Sequence, residues 1–210
     1  MNSSGSIGIN DLSFDIVCFT PGTQIATPLG DIPVESLKVG DLVVTKDSGI
    51  QAVRWVGHKK VSGARLQSYP LFRPVKILKD AFGKGLPNRD MHVSPQHRVL
   101  LAGADVELNY SKEQALAPAK GLISDHSITI DYSVKEVEYI HILFDKHELV
   151  FSDGLLTESF HPGEMSIAGL DDNTRQEVFE LFPELRTNYG AYGPAARMSL
   201  SVSVSQALVA

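Results

Sequence analysis

From Cys18 to about residue 160 the apolar positions come in short bursts: "TQIAT", "DLVVT", "QAVRWVG", "RPVKIL", "SPQHRVLLAG", "SITIDYSV", "VEYIHILF" and "HELVFS". Each is rich in β-branched or aromatic residues and bounded by Gly, Pro, Asp or Ser, which predicts many short strands joined by tight turns. The expected body is all-β, built of closely packed hairpins. A helical period stands out in "LDDNTRQEVFELFPEL", where Asp171 or Asp172 can cap, Val178, Leu181 and Leu185 share a face, and Pro183 stops the run. A shorter helical turn is expected at "SKEQAL". The closing "SLSVSVSQALVA" alternates small polar with apolar residues, as an edge strand or a loose tail would. The pattern divides the chain into a flexible leader over 1–17, a β domain over 18–160, and a C-terminal appendage over 161–210 with one short helix.

Two stretches of the β domain resemble each other. "MHVSPQHRVLLAG" and "IHILFDKHELVFSDG" each carry a histidine, a short interruption, a second histidine, an apolar strand and a closing Gly. Two related β halves facing one another would bring equivalent histidines toward a shared centre.

Composition narrows the chemistry. The 210 residues are 43% apolar and 21% charged with a net charge of −6, an ordinary balance for a chain with one substantial core. Lys and Arg are scattered, so neither nucleic acid nor a membrane surface is an expected partner. No stretch reaches the length of a membrane span, and "MNSSGSIGINDLSFDIV" lacks the charged and apolar regions of a secretory signal. The compartment stays open between cytoplasm and export without a cleaved signal. The single cysteine, Cys18, is either a small buried apolar group or a reactive thiol. The spacings His92-x4-His97 and His141-x5-His147 match no strong zinc pattern, and no metal or cofactor is expected. His92 and His141 read as strand residues.

The order of residues after Cys18 is more specific. Gly22-Thr23, Gly30, Val34-Glu35-Ser36-Leu37 and Gly40-Asp41 follow the thiol, then Ser94-Pro95-Gln96-His97, then Tyr139, Asp145, His147 and Gly154. This succession resembles the Hint domains, which include the Hedgehog autoprocessing domain, inteins and bacterial intein-like relatives, and it is most like the bacterial subgroup. The resemblance implies a compact horseshoe of two pseudo-symmetric β halves. It also implies an N-to-S acyl shift at Val17-Cys18, with the chain's own N-terminal flank as substrate and water, a small thiol or an amine as acceptor, in a monomer acting once. Cys18 is then the nucleophile, His97 the proton carrier at the amide nitrogen, and Ser94 the group that orients the scissile peptide. His147 is a second shuttle or only the repeat of His97, and Asp145 orients a histidine or caps a turn.

Departures from the pattern limit the reaction. Glu158 and Ser159 stand where splicing requires His-Asn, and "RWVGHKKV" offers His58 and Lys59 but no Asp to activate a sterol. N-terminal cleavage through a thioester is what remains. Two other classes stay open: a silent scaffold engaging a partner through "TNYGAYGPAARM" and the C-terminal strand, and a cysteine hydrolase that cuts external peptides.

Overall fold

The computed structural model describes residues 17–124, 126–163 and 167–209, so the leader lies outside it except for Val17. The apolar bursts become short strands: β1 (Gln24–Thr27), β2 (Gly30–Pro33), β3 (Leu42–Thr45), β4 (Gly49–Ala52), β5 (Trp55–Val61), β6 (Val75–Ile77), β7 (Met91–Val93), β8 (Arg98–Ala102), β9 (Gln114–Pro118), β10 (Ile128–Ile130), β11 (Val137–Leu143), β12 (Leu149–Ser152), β13 (Leu155–Glu158) and β14 (Met198–Ser199). The helices are α1 (Gly63–Ser68), α2 (Ala104–Tyr110), α3 (Asp172–Leu181) and α4 (Val202–Val209). No helix among the described residues is long and apolar enough to cross a membrane.

The strands form one long sheet, in the order β14-β9-β8-β13-β12-β1-β2 with β3 and β4 branching from β12, and two smaller groups, β10-β6-β7 and β11-β5. All named pairs are antiparallel except β14 with β9. β5 and β11 pair over their full length, from Val137 opposite Val61 to Leu143 opposite Trp55. Because strand side chains alternate, Trp55, Gly57 and Lys59 share one face with Leu143, His141 and Tyr139. Phe19 stitches the two smaller groups together, bridging Val93 of β7 on one side and Ile140 of β11 on the other. The strands of the two similar sequence stretches therefore flank one short piece of chain.

Three apolar clusters fill the interior. Cys18, Trp55, Leu66, Phe72, Tyr139 and Phe160 belong to the first, together with Ile167, Leu170, Val178, Leu185 and Tyr192 from beyond residue 160. The second gathers Val75, Ile77, Val93, Val99 and the β9 alanines with Leu200. Phe19, Ile25, Val43, Ile140, Ile142 and Val150 form the third.

Four local expectations are corrected. "SKEQAL" is not a helical turn: α2 ends upstream, where Ser111 takes a left-handed conformation, and Gln114–Leu116 join β9 because Ala115, Leu116 and Ala117 are all buried against β8. The closing segment is mostly helix rather than strand or loose tail. Leu200, Val204 and Leu208 recur every four residues onto the second cluster, and the Ser201 hydroxyl accepts from the Val204 N–H at 3.3 Å to start α4. The appendage, expected over 161–210 with one short helix, carries both α3 and α4 among the described residues. In α3, Asp171 is the cap, accepting from the Thr174 N–H at 3.0 Å, and Val178 and Leu185 are buried. Leu181 is 41% exposed, because the 3-10 turn Pro183–Arg186 turns Leu185 inward on a new axis.

Seating α4 depends on a close approach at Gly121, where a Cβ would fall 2.7 Å from Ser205 Cβ and 3.0 Å from the Val202 carbonyl oxygen. Gly121→Ala should therefore lower stability by about 1 to 3 kcal/mol through overpacking, read as a reduced midpoint in urea unfolding. An unchanged midpoint would mean α4 is not seated there.

Candidate active site

The chain enters the fold between β7 and β11. Phe19 donates to the Ile140 carbonyl at 2.8 Å and accepts from the Ile140 N–H at 2.9 Å, while the Ser94 N–H donates to the Cys18 carbonyl at 3.0 Å. With Phe19 turned into the third cluster, Cys18 points the opposite way into the first. Ser94 opens the turn after β7, which closes with the His97 N–H on the Ser94 carbonyl at 3.0 Å.

These backbone bonds leave one peptide unit held at both polar ends by side chains. The Cys18 N–H donates to Ser94 Oγ at 3.0 Å, and the Val17 carbonyl accepts from His141 Nδ1 at 2.7 Å. A carbonyl can only accept, so Nδ1 carries the proton and His141 Nε2 presents its lone pair. That nitrogen lies 3.6 Å from Cys18 Sγ. A single imidazole therefore spans the carbonyl before the cysteine and the thiol that follows it.

Burial sets the protonation states. The Cys18 thiol is fully enclosed, which pushes its pKa well up, against the Ser94 hydroxyl hydrogen bond and the Lys59 ammonium, which pull it down. Burial lowers His141 to about 4, opposed by its bond to the Val17 carbonyl and reinforced by the charges of Lys59 and His58. At neutral pH the resting site is a neutral thiol beside a neutral imidazole.

The walls are aromatic and apolar. Trp55 lies nearly parallel to His141, ring centres 6.0 Å apart, and crosses Gly57, where a Cβ would sit 2.0 Å from the indole. Phe160 meets His141 edge-on at 5.3 Å. The C-terminal segment closes the rest: Trp55 Nε1 donates to Glu177 Oε2 of α3 at 2.9 Å, and Lys59 Nζ to the Gly169 carbonyl at 2.9 Å.

The residues singled out in the sequence separate here. Cys18 and Ser94 are in direct contact at the peptide. His97 is buried with its ring 4.4 Å from that of Phe19, and neither nitrogen has a hydrogen-bond partner among the described residues. Burial lowers its pKa to about 4, although the Glu158 charge pulls the other way. His147 is held elsewhere: Nδ1 accepts from the Ala196 N–H at 3.0 Å, and Nε2 lies 3.3 Å from Glu158. Glu158 is itself clamped by the Arg98 guanidinium at 3.0 and 3.1 Å and by the Arg98 N–H at 3.1 Å. Asp145 is exposed and pairs with Arg54 at 3.3 Å. His141, expected only as a strand residue, is one, and it also touches the Cys18 thiol and the Val17 carbonyl. Its signal was the alternation in "YIHIL", which puts Tyr139 and His141 on one face. No group of three or more His, Cys, Asp or Glu side chains able to hold a metal gathers among the described residues.

The family model of the Hint domain matches residues 17–164. Among solved structures, the crystal structure of the gp41-1 intein is 18% identical, the match covering 67% of this chain and 97% of that one at a TM-score of 0.41. The solution structure of a bacterial intein-like domain from Clostridium thermocellum is 13% identical over 68% of this chain and 97% of that one, at 0.40. A DnaB intein from Synechocystis sp. PCC 6803 is 15% identical over 68% and 98%, at 0.41. No curated protein sequence is significantly similar.

The buried imidazoles make a pH prediction. His97 and His141 resonances should hold their neutral-form positions down to about pH 5 and move near 4. Both folded values lie below the ordinary 6.5, so the unfolded chain takes up these protons first and each imidazole withdraws roughly 3 kcal/mol as pH falls from 6.5 to 4. Asp153, raised by burial to about 6, acts in the opposite sense over the same range. Histidine-selective NMR titration of the folded chain checks this; a midpoint near 6.5 for either residue would contradict it.

Proposed function

The chain belongs to the Hint domain family, and on that premise we propose that it processes itself by an N-to-S acyl shift at Val17-Cys18, cleaving off its N-terminal flank without splicing. The observation that carries this reading is the double grip on the Val17-Cys18 peptide, with the thiol and the carbonyl oxygen on opposite nitrogens of His141.

In the proposed step Cys18 Sγ bonds to the Val17 carbonyl carbon while its proton passes to His141 Nε2. The imidazolium so formed holds the developing oxyanion through Nδ1–H more strongly than the neutral ring held the carbonyl. The C–N bond then breaks, and the proton ends on the Cys18 nitrogen, leaving a thioester and a free amine. Amide resonance, a barrier of about 18 to 20 kcal/mol to rotation, must be lost on the way, and Ser94 on the N–H with His141 on the oxygen is the arrangement to hold a twisted peptide. His97, with both nitrogens unpaired, serves the amine as it is released. No step runs through His147 or Asp145. Glu158 carries a carboxylate, held by Arg98 and His147, and Ser159 a hydroxyl, which accepts from the Glu148 N–H at 2.9 Å; neither side chain has the amide that cyclises in splicing. Water, a small thiol or an amine completes release.

Incubating the chain with dithiothreitol at mildly alkaline pH should release a fragment ending at Val17, followed by intact-mass spectrometry. Cys18→Ala should be inert, and His141→Gln slower by about 10² or more, as expected for loss of a general base. Ser94→Ala should lose a smaller factor, since an orienting hydrogen bond contributes about 1 to 3 kcal/mol. A folded wild type that keeps its full mass through long incubation removes the reading.

The side chain of Val17 is expected to set the pace. It is β-branched, follows another β-branched residue, Ile16, and is itself buried, so it crowds the carbonyl that sulfur must reach. Crowding of about 1.4 kcal/mol slows the shift tenfold, so Val17→Gly should accelerate thiol-induced release by roughly ten-fold. Equal rates for Val17, Val17→Ala and Val17→Gly would place the slow step after the shift.

A further inference from the structure

A second concavity lies outside the reaction centre. It measures about 430 Å³ and opens between Asp47 in the β3–β4 turn, Lys146–Glu148 ahead of β12, and the loop from Tyr192 to Arg197. Side-chain bonds fix its walls. Arg197 clamps Asp47 through both terminal nitrogens at 3.0 and 2.8 Å and reaches Gln114 through Nε at 2.8 Å. The Tyr192 hydroxyl donates to the Phe144 carbonyl at 2.7 Å, and the His147 bond to the Ala196 N–H pins the loop between them. The concavity is preformed.

One group in its wall has no counterpart. Glu148 is 4% exposed and its N–H is used by Ser159, yet its carboxylate takes no hydrogen bond and no ion pair from any described residue. Other acidic groups here are matched: Asp47 by Arg197, and the equally buried Glu158 by Arg98 and His147. Lys146 sits exposed at the rim and forms no ion pair with Glu148. The Glu148 carboxylate oxygens are not among the enclosed polar atoms left without a partner, and the cavity that Glu148 lines is the side from which a cation can reach them.

We propose that this cavity is a binding site for a cationic nitrogen group on an apolar stem, the ammonium or guanidinium of a peptide side chain or small amine, with Glu148 as its counter-ion. Anionic ligands are disfavoured by the same carboxylate, and Asp47 is already neutralised. Tyr192, Pro194 and Ala195 line the remainder with aromatic and small apolar surface, which suits the methylene stem of such a group. The inference stands apart from self-processing and does not need Cys18.

The probes are n-butylammonium and n-butylguanidinium, with n-butanol as the neutral control, titrated into the isotope-labelled full chain and followed by amide NMR. At least one cation should shift the amides of Lys146–Glu148 and Ala195–Arg197 saturably in the millimolar range, with the alcohol inactive. Glu148→Gln should weaken that binding about tenfold or more, as loss of a charged partner does. Should Glu148→Gln fail to fold, Lys146→Ala, at an exposed position, should tighten the cation by removing a nearby like charge, and unchanged binding by that variant would overturn the inference. The inference is overturned if neither cation saturates, if butanol acts as well as they do, or if folded Glu148→Gln binds unchanged.

Discussion

Phe19 is the constraint on which the site depends. Two backbone bonds to Ile140 and one from Ser94 to the neighbouring carbonyl fix a single extended stretch between β7 and β11. Since adjacent residues of an extended chain point to opposite faces, burying Phe19 in one core commits Cys18 to the other. The preceding peptide then has no freedom of its own: its oxygen meets a histidine of β11, and its nitrogen a serine of the turn that follows β7. Thiol, carbonyl and amide nitrogen are positioned by one strand's register. A slip of one residue would put Phe19 into the reaction centre and the thiol into the third cluster.

The dryness of that centre decides how the proposed chemistry has to run. A thiolate and an imidazolium standing side by side are disfavoured at rest, because burial raises the thiol and lowers His141. Charge therefore develops only as the carbonyl carbon is attacked, where the Val17 oxygen shares it and Nδ1–H is already aimed at that oxygen. Lys59 is the one formal charge that acts on thiol and imidazole alike, favouring thiolate and opposing imidazolium. Its ammonium is committed to the Gly169 carbonyl. The arrangement favours a proton moving in concert with the sulfur over a preformed ion pair.

The strands were readable because their apolar runs are short and their ends marked, and the α3 cap because Asp171 starts a clean helical period. What failed has physical causes. "SLSVSVSQALVA" satisfies a two-residue alternation and a four-residue stripe at once, and only the close approach over Gly121 selects the helix. "SKEQAL" has helical composition, but its alanines are taken by β8, a demand from residues that the local sequence does not contain. In the candidate site, order along the chain singles out Cys18 and Ser94, which the fold brings into contact. His141 was passed over because a histidine in a strand carries no local mark of the partner it faces. His147 and Asp145 share the spacing of functional residues, yet their neighbours, Glu158, Ala196 and Arg54, come from elsewhere in the fold.

The C-terminal segment sets a further condition on any reaction in this core. Leu170, Val178, Leu185 and Tyr192 share the cluster of Cys18, and Glu177 and Gly169 fasten Trp55 and Lys59 above it. Such a wall would keep water from the thioester of the proposed step and strengthens each hydrogen bond inside, but it would also bar every external acceptor. Both demands can be met only in sequence: the acyl shift in the closed core, then release after a wall has yielded. The walls are unequally rooted. β5 and β11 are joined along their whole length and carry the reacting imidazole, so opening there would dismantle the site. α3 is largely polar and buries only Val178 among its own residues. The Trp55–Glu177 bond, the packing of Val178 and Phe179 on the first cluster, and Arg186 over Phe179 hold it, and local opening favours elements with few buried ties. For the proposed reaction, closure of the chemistry would then fall to the β core and access to its product to residues beyond 167.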